Sequence, residues 1–166
     1  MKKIDSFCLV LATGFGSGYS PWASGTVGTL PGVALAWIIA PLSPLTQAAI
    51  VLAGIAAAIP ICHRAEKIFQ TKDDGRIVAD EMVTFPLSLL GLSAMVAPNP
   101  FPLWFWGFAF VNHRILDILK PPPARQIQAL KGGWGIVADD VISSIYSLFI
   151  NYAALRWGAP WVANWM

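Results

Sequence analysis

Charged residues are scarce in this 166-residue sequence, and long stretches contain none. They make up 12% of the chain, against about 25% in ordinary globular proteins. No Lys, Arg, Asp or Glu occurs at positions 6–63, 82–113 or 141–155. A soluble fold could not cover its surface with polar side chains along stretches of this length. The composition therefore excludes a soluble globular domain and favours a chain embedded in a lipid bilayer.

Cysteine and histidine are also scarce. The spacing of Cys8 and Cys62 fits neither a zinc site nor a disulfide framework, so we expect no disulfide. His63 follows a long apolar run and is predicted to lie in a loop. We expect no cleaved signal peptide, because Asp5 interrupts the short apolar run near the first residue.

Proline, glycine and charged residues divide the apolar sequence into candidate helices. Two pairs are predicted to form hairpins around proline-containing turns, and a last helix leads into a tryptophan-rich tail. The segments are 27–40 and 45–61 around a turn at 41–44, 82–97 and 103–119 around a turn at 98–100, and 141–157. The expected fold is all-α, a polytopic membrane bundle of about four to five helices in one domain covering residues 1–166.

The distribution of charge predicts an orientation. If the first residues are inside the cell, both polar segments that separate the apolar runs are inside as well. Ten of the eleven Lys and Arg residues then face the cytoplasm, in agreement with the positive-inside rule. All nine acidic residues lie on the same side, which the rule does not require. The glycine-rich stretch 14–25 is not a confident helix, and re-entrant backbone is one interpretation of it.

Five acidic residues lie at the cytoplasmic ends of the expected helices: Asp80, Glu81, Asp117, Asp139 and Asp140. Asp117 lies within an apolar helix, where ionisable residues are costly and are functional candidates. Five carboxylates at converging helix ends repel one another unless a cation lies between them. Oxygen ligands without a Cys or His cluster favour a hard cation, so these five residues are candidate ligands of Mg²⁺.

Each of these residues also has a simpler explanation. Arg114 lies three positions before Asp117, so the two could merely neutralise one another on one helix face. Asp80 and Asp139 could be N-caps, because negative charge is favoured at helix starts. Taken together, five carboxylates at three helix ends are harder to explain as caps.

Other nearby residues suit a phosphate group. Glycine lets backbone N–H groups approach an anion, and a helix start adds a favourable dipole. Two glycine-rich turns supply the candidate substrate-binding residues, which are Gly25, Thr26, Thr29, Gly132 and Gly133. Arg114 and Lys120, three positions to either side of Asp117, are candidates to clamp a phosphate.

In this order, the motifs resemble those of the phosphatidylglycerophosphatase A family. The matching blocks are GFGSG at 14–18 with SP at 20–21, GTVGTL at 25–30, GRIVADE at 75–81, RILD at 114–117 with KP at 120–121, and GGWGIVADD at 132–140. One position departs from the pattern, since His113 stands where the family usually has Phe. The fragments that match two rival lipid-phosphate families lack those families' remaining motifs.

The resemblance implies a multi-pass enzyme of the bacterial inner membrane with its active site facing the cytoplasm. Such an enzyme uses Mg²⁺ to convert phosphatidylglycerol phosphate to phosphatidylglycerol and inorganic phosphate. The expected catalytic residues are Asp80, Glu81, Arg114, Asp117, Lys120, Asp139 and Asp140. The carboxylates hold one or two ions, the two cations stabilise phosphoryl charge, and water attacks directly.

The expected partners are a phospholipid substrate and the membrane lipids, with no nucleic acid and no known protein partner. Three alternatives stay open. The chain could be a small transporter or channel with carboxylates in an ion path, a phosphatase for another lipid phosphate, or an inactive lipid-binding or assembly protein. A transporter predicts charges distributed through the bilayer, whereas these charges gather near one face.

Overall fold

The structure is a computed structural model in which residues 3–96 and 101–158 are described. The described residues form helices and turns without any β-strand, which confirms the all-α prediction. The α-helices are α1 (Lys3–Ala12), α2 (Ser24–Ile39), α3 (Pro44–Phe69), α4 (Ala79–Thr84), α5 (Ser93–Val96), α6 (Leu103–Leu119), α7 (Ala124–Ile127) and α8 (Gly133–Ala153). Short 3₁₀ segments cover Ser17–Tyr19 and Phe85–Leu89, and a π-helical turn, Ala154–Gly158, follows α8.

Three described segments are long and apolar enough to cross a membrane. They are Pro44–Phe69, Ala79–Val96 and Gly133–Gly158, and the apolar helix α2 is somewhat shorter. Several such segments in one helical chain confirm the prediction of a polytopic helical bundle. Helix α4 lies at the centre, packed against α2, α3 and α8.

The first hairpin is longer at both ends than the sequence predicts. Helix α2 begins three residues before position 27, and α3 continues eight residues past position 61. The prediction of a loop at His63 is therefore wrong. The charged side chains of this extension are half-buried or exposed, and Arg64 pairs with Asp5 of α1 at 2.6 Å. A helix can end in charged residues whose stems cover apolar surface while their heads reach water.

The second hairpin departs further from the sequence prediction than the first. The predicted single helix at 82–97 is broken into α4, a 3₁₀ segment and α5. Pro86 is the second residue of the 3₁₀ segment, in its first turn, where its missing N–H is not needed, and Gly91 has a φ of 73°. The turn at 98–100 lies outside the described residues. Its other arm, α6, has the predicted bounds.

Helix α8 begins eight residues earlier than position 141. Asp139 and Asp140 therefore lie about two turns inside the helix, and the N-cap interpretation of Asp139 is wrong. Asp80 lies in the first turn of α4, whose N-cap position is Val78, so the same interpretation fails there. The early start of α8 depends on backbone contact, because a side chain at Gly133 would collide with the carbonyl of Ile59 on α3. Small residues allow membrane helices to pack this closely.

Two apolar cores support the bundle. The core beside the acidic residues consists mostly of small side chains from α1, α3, α4 and α8, among them Ala12, Ala58, Cys62, Ala65 and Val137. The second core is aromatic and contains Phe85, Phe101 and Phe105. Small side chains let backbones approach closely, so the first core holds the helices that carry the acidic residues tightly together.

Candidate active site

The fold brings the five predicted carboxylates to one end of the bundle. Helix α4 supplies Asp80 and Glu81, the last turn of α6 supplies Asp117, and α8 supplies Asp139 and Asp140. Four of them are almost inaccessible, with exposed fractions of 6% for Asp80 and Asp117, 0% for Asp139 and 1% for Asp140. Asp140 also contacts the carboxyl group of Asp117. We call these five residues the carboxylate cluster.

Arg114 connects two members of the cluster. Its Nη1 atom lies 2.9 Å from Glu81 Oε2 and 2.7 Å from Asp117 Oδ2. The simpler explanation, that Arg114 and Asp117 neutralise one another, is thus only part of the arrangement. Thr29 of α2 completes it, since its hydroxyl lies 2.7 Å from Glu81 Oε2 and 3.4 Å from Arg114 Nη1. Charged hydrogen bonds of this kind hold the guanidinium in one position.

Lys120 pairs with Asp139 across the gap between α6 and α8. It caps α6 in a left-handed conformation with φ 46°, and its side chain is 21% exposed. Burial by itself lowers the pKa of Lys120, but the Asp140 charge and the hydrogen bond to Asp139 raise it above the ordinary value. Lys120 is therefore protonated at neutral pH and carries a positive charge at the rim of the cluster.

Several buried atoms of the cluster have no hydrogen-bond partner among the described residues. They are Asp80 Oδ1, Asp139 Oδ1, Asp140 Oδ2 and Arg114 Nε. Leaving a buried polar atom unpaired costs about 1–3 kcal/mol, and more when it is charged. A ligand of complementary charge that pairs with these atoms would therefore bind with a favourable free energy.

The carboxylate cluster fits a hard cation, since three of its carboxylate oxygens have no hydrogen-bond partner among the described residues. Within the described part of the chain, however, no group of three or more His, Cys, Asp and Glu side chains is arranged to hold a metal ion as it stands. Glu81, Asp117 and Asp139 are instead engaged by Arg114 and Lys120. The carboxylates of Asp80 and Asp140 form no ion pair with a described residue, so they are the acceptors best placed to receive a cation.

The predicted substrate-binding residues fall into two groups. Gly25, Thr26 and Thr29 lie on the first turns of α2, and a side chain at Gly25 would collide with Glu81 and Arg114. This group adjoins the carboxylate cluster. Gly132 and Gly133 instead face α3, where side chains would meet His63 and Ile59. Close packing of α8 on α3 explains these two glycines, and their contact with substrate stays a prediction.

One acidic residue near the site was not predicted. The charge of Asp73 acts on Asp80 and Asp139, and Gln128 donates a hydrogen bond to Asp73 Oδ2 at 2.7 Å. Asp73 has a φ of 50°, a left-handed conformation that Asp tolerates better than most residues. The sequence signal was the acidic pair at 73–74, which we did not connect with the site.

A second buried polar group lies farther along α8 and was also not predicted. Asn112 of α6 donates to Ser147 Oγ at 2.9 Å and to Asn151 Oδ1 at 3.1 Å. Asn151 in turn donates to the Ser88 carbonyl at 2.9 Å. We call these four residues the amide–hydroxyl network. His113 lies between the network and the cluster, with its ring edge against Phe85 and its Nε2 atom unpartnered.

Comparison with known proteins identifies the family. A model of the phosphatidylglycerophosphatase A family matches residues 10–155. The chain belongs to this family. It is therefore a phosphatase. Its apolar helices indicate a membrane protein, and its relatives are bacterial. The match confirms the resemblance found in the sequence and rules against a transporter.

Three curated relatives extend over most of the chain. A Bacteroides thetaiotaomicron protein named "Putative phosphatidylinositol-3-phosphatase" is 37% identical over 95% of this chain and 98% of its own length. The phosphatidylglycerophosphatase A of Escherichia coli is 35% identical over 86% of this chain and 80% of its own. That of Haemophilus influenzae is 34% identical over 95% of both chains. No solved structure matches the chain.

A phosphatase needs positive charge for the phosphoryl oxygens and a way to position water. In this member of the phosphatidylglycerophosphatase A family, Arg114 has a buried Nε atom free to donate, and Lys120 carries a second charge at the rim. Both cations pair with members of the carboxylate cluster, and other oxygens of the same cluster have no partner among the described residues. The cluster therefore contains groups of the right chemistry for transfer of a phosphoryl group to water.

Proposed function

We propose that this chain hydrolyses phosphatidylglycerol phosphate to phosphatidylglycerol and inorganic phosphate, with Mg²⁺, at the cytoplasmic face of the bacterial inner membrane. The observation that carries the proposal is the carboxylate cluster, buried at one end of a membrane bundle with unpartnered oxygens and two adjacent cations. The substrate follows the names of the family and of two relatives.

The proposed division of roles follows the contacts. Asp80, Asp139 and Asp140 would hold Mg²⁺ through the oxygens that have no protein partner. When bound, the ion would neutralise phosphate charge and lower the pKa of a bound water. Glu81 and Asp117 fix the guanidinium of Arg114. In this arrangement, Arg114 meets the phosphate through its unpaired Nε atom, and Lys120 meets it from the rim.

In the proposed reaction, a water oxygen forms the new bond to phosphorus while the bond from phosphorus to the glycerol oxygen breaks. A carboxylate of the cluster accepts a proton from the attacking water and then gives a proton to the leaving glycerol oxygen, so the cluster returns to its starting protonation state. The phosphoryl oxygens gain negative charge during this transfer, and Arg114 and Lys120 are positioned to stabilise it without rearranging. No Ser or Cys nucleophile is required.

The orientation is proposed from charge. Most Lys and Arg residues belong to the polar segments that adjoin the cluster. The positive-inside rule places such segments in the cytoplasm. The phosphate of the substrate would then lie at the headgroup level, with its acyl chains left between or beside the helices.

Phosphate release by the purified chain in lipid nanodiscs tests this proposal. We expect turnover of phosphatidylglycerol phosphate with Mg²⁺, and its loss with EDTA and in Asp80→Asn. Glu66→Gln, which changes an acid of α3 outside the cluster, is the matched control and keeps the activity. Phosphatidylinositol 3-phosphate and phosphatidic acid are compared as substrates, because one relative carries a phosphoinositide phosphatase name. Faster turnover of either lipid contradicts the proposed substrate, and full activity in EDTA contradicts the metal.

A further inference from the structure

The first described residues of the chain expose large apolar side chains. Ile4, Phe7, Phe15 and Trp22 have exposed fractions of 71%, 66%, 69% and 82%. Phe15 does so from a left-handed backbone with φ 58°, a conformation that costs roughly 1 kcal/mol or more for a residue with a side chain. The fold thus keeps an unfavourable backbone conformation at a residue whose phenyl ring points outward.

The inward face of the same segment is partly polar. Asp5 is buried and pairs with Arg64 of α3 at 2.6 Å, while Ala12 at the end of α1 is fully buried. A helix on the surface of a soluble protein places its apolar stripe inward and its polar residues outward. Helix α1 instead buries Asp5 and exposes Ile4, Phe7 and Val10, which suits a surrounding of lipid.

Helix α1 is too short to cross a membrane, and residues 4–22 begin and end at the same end of the bundle. The ten residues of α1 extend about 15 Å, against about 30 Å of hydrocarbon. Asp5 pairs with Arg64 near the end of α3, and Gly25, where the chain enters α2, lies against Glu81 and Arg114 of the site. The chain therefore leaves the site end of the bundle and returns to it.

Close backbone contacts attach the turn of this segment to the residues just before α4. The Val78 N–H donates to the Ala12 carbonyl at 2.8 Å. Gly18 lies so close to the Arg76 carbonyl that a side chain at position 18 would collide with it. Val78 lies two positions before Asp80, so these backbone contacts join the first segment to the chain that leads directly into the carboxylate cluster.

We propose that residues 4–22 insert into the lipid interface on the side of the carboxylate cluster and return to that side without crossing the membrane. The partner is the lipid of the bilayer that the chain itself spans. Helix α1 packs on α3, a spanning helix with its own exposed apolar side chains, such as Leu52. In a bilayer that α3 spans, the outward face of the segment would lie beside the lipid around α3, and Tyr19 and Trp22 belong to the residue types enriched at interfaces.

Depth-dependent fluorescence quenching tests the insertion and requires no catalysis. Single cysteines replace Phe7, Phe15, Leu52 or Lys72 in the full chain carrying Cys8→Ser and Cys62→Ala, and each is labelled with an environment-sensitive nitrobenzoxadiazole dye. The labelled chains are placed in vesicles of phosphatidylcholine and phosphatidylglycerol whose acyl chains are brominated near the headgroup or near the chain end. Circular dichroism checks that each variant keeps its helices.

We expect dyes at positions 7 and 15 to lose most fluorescence with bromine near the headgroup. The dye at position 52 should lose most with bromine near the chain end, and the dye at 72 only with aqueous iodide. Independently of labelling, Trp22→Phe should reduce the tryptophan emission that shallow bromine quenches. Iodide quenching at 7 and 15 equal to that at 72 would overturn the proposal. Deep quenching like that at 52, or protection from iodide that disappears when the protein is diluted, would also overturn it.

Discussion

Helix α8 carries two groups of buried polar side chains that differ in how well they are satisfied. At its beginning, Asp139 and Asp140 each retain a buried oxygen without a hydrogen-bond partner among the described residues. About two turns farther along, Ser147 and Asn151 are joined to Asn112 and to the Ser88 carbonyl by hydrogen bonds of 2.9–3.4 Å. The first group is charged, and the second is neutral.

The difference separates a site from a structural contact. Hydrogen bonds between neutral side chains join membrane helices at a gain of about 0.6–2 kcal/mol, and the amide–hydroxyl network fits that role. Buried charges that lack partners lower stability, so the carboxylate cluster costs the fold free energy. A ligand that binds the folded protein there recovers part of it. Four substitutions test this contrast.

Asp140→Asn should have the largest effect, and the effect should be on activity. It removes a buried charge whose Oδ2 atom has no partner, so we expect kcat/KM to fall about 100-fold or more, which corresponds to about 2.7 kcal/mol. The free energy of unfolding should stay the same or rise, because one source of repulsion is gone. Phosphate release and denaturation in nanodiscs measure the two quantities. A clear loss of stability with activity retained would make the cluster structural and remove the contrast.

Asn151→Leu should show the opposite pattern. The substitution removes one of the acceptors of Asn112 and leaves the Ser88 carbonyl without the Asn151 donor, and we expect the free energy of unfolding to fall by about 1–2 kcal/mol. Activity per folded molecule should stay within about twofold, which corresponds to about 0.4 kcal/mol in the barrier, because Asn151 lies about three helical turns beyond Asp140 on α8. A strong loss of kcat without loss of stability would join the network to the site.

His113→Phe tests the boundary between the two groups. The buried His113 leaves its Nε2 atom unpartnered, and its contact with Ser144 is long, at 3.5 Å. Replacing the imidazole by a ring of similar shape should raise the free energy of unfolding by about 1 kcal/mol and leave kcat unchanged. Thermal unfolding and phosphate release are the readouts. Reduced activity in the more stable variant would assign His113 to the carboxylate cluster.

Asp74→Asn should have the smallest effect, limited to the loop before α4. Hydrogen bonds from the Arg76 side chain hold the pKa of Asp74 below its ordinary value. A lowered pKa means that the stabilisation is complete above the ordinary pKa of about 3.9 and disappears as the pH falls through the lowered one. The unfolding difference between wild type and Asp74→Asn should therefore shrink as the pH is taken from about 6 to about 3. A difference that is independent of pH would contradict this account.

Much of the fold could be predicted because it depends on composition. Proline-containing turns and apolar stretches located α2, α3 and α6. The extension of α3 past Arg64 could not be predicted from apolar periodicity, because charged residues interrupt the apolar pattern there, and Arg64 pairs with Asp5, far away in sequence. The early start of α8 likewise depends on backbone contact between Gly133 and Ile59, which only the packed bundle reveals.

The candidate site likewise has features that could be predicted from the sequence and features that could not. That the five carboxylates gather at one end follows from charge placement, and the structure brings them together. The partners of these carboxylates could not be predicted. Arg114 and Glu81 are far apart in sequence, and Thr29 comes from a third helix. Asp73 was not assigned to the site because a charged loop residue is usually only solvated, and its nearness to Asp80 depends on how that loop folds back.

The length of α3 has a consequence for kinetics. Its residues before Arg64 number about 20 and extend about 30 Å, the thickness of the hydrocarbon layer. The backbone of Asp80 lies beside the Cys62 thiol, so if these residues of α3 span the bilayer, the carboxylate cluster lies where the hydrocarbon ends. A phospholipid can reach the cluster by lateral diffusion with its acyl chains still in the bilayer. The rate should therefore follow the mole fraction of substrate in the membrane surface, and diluting the vesicles in buffer should leave it unchanged.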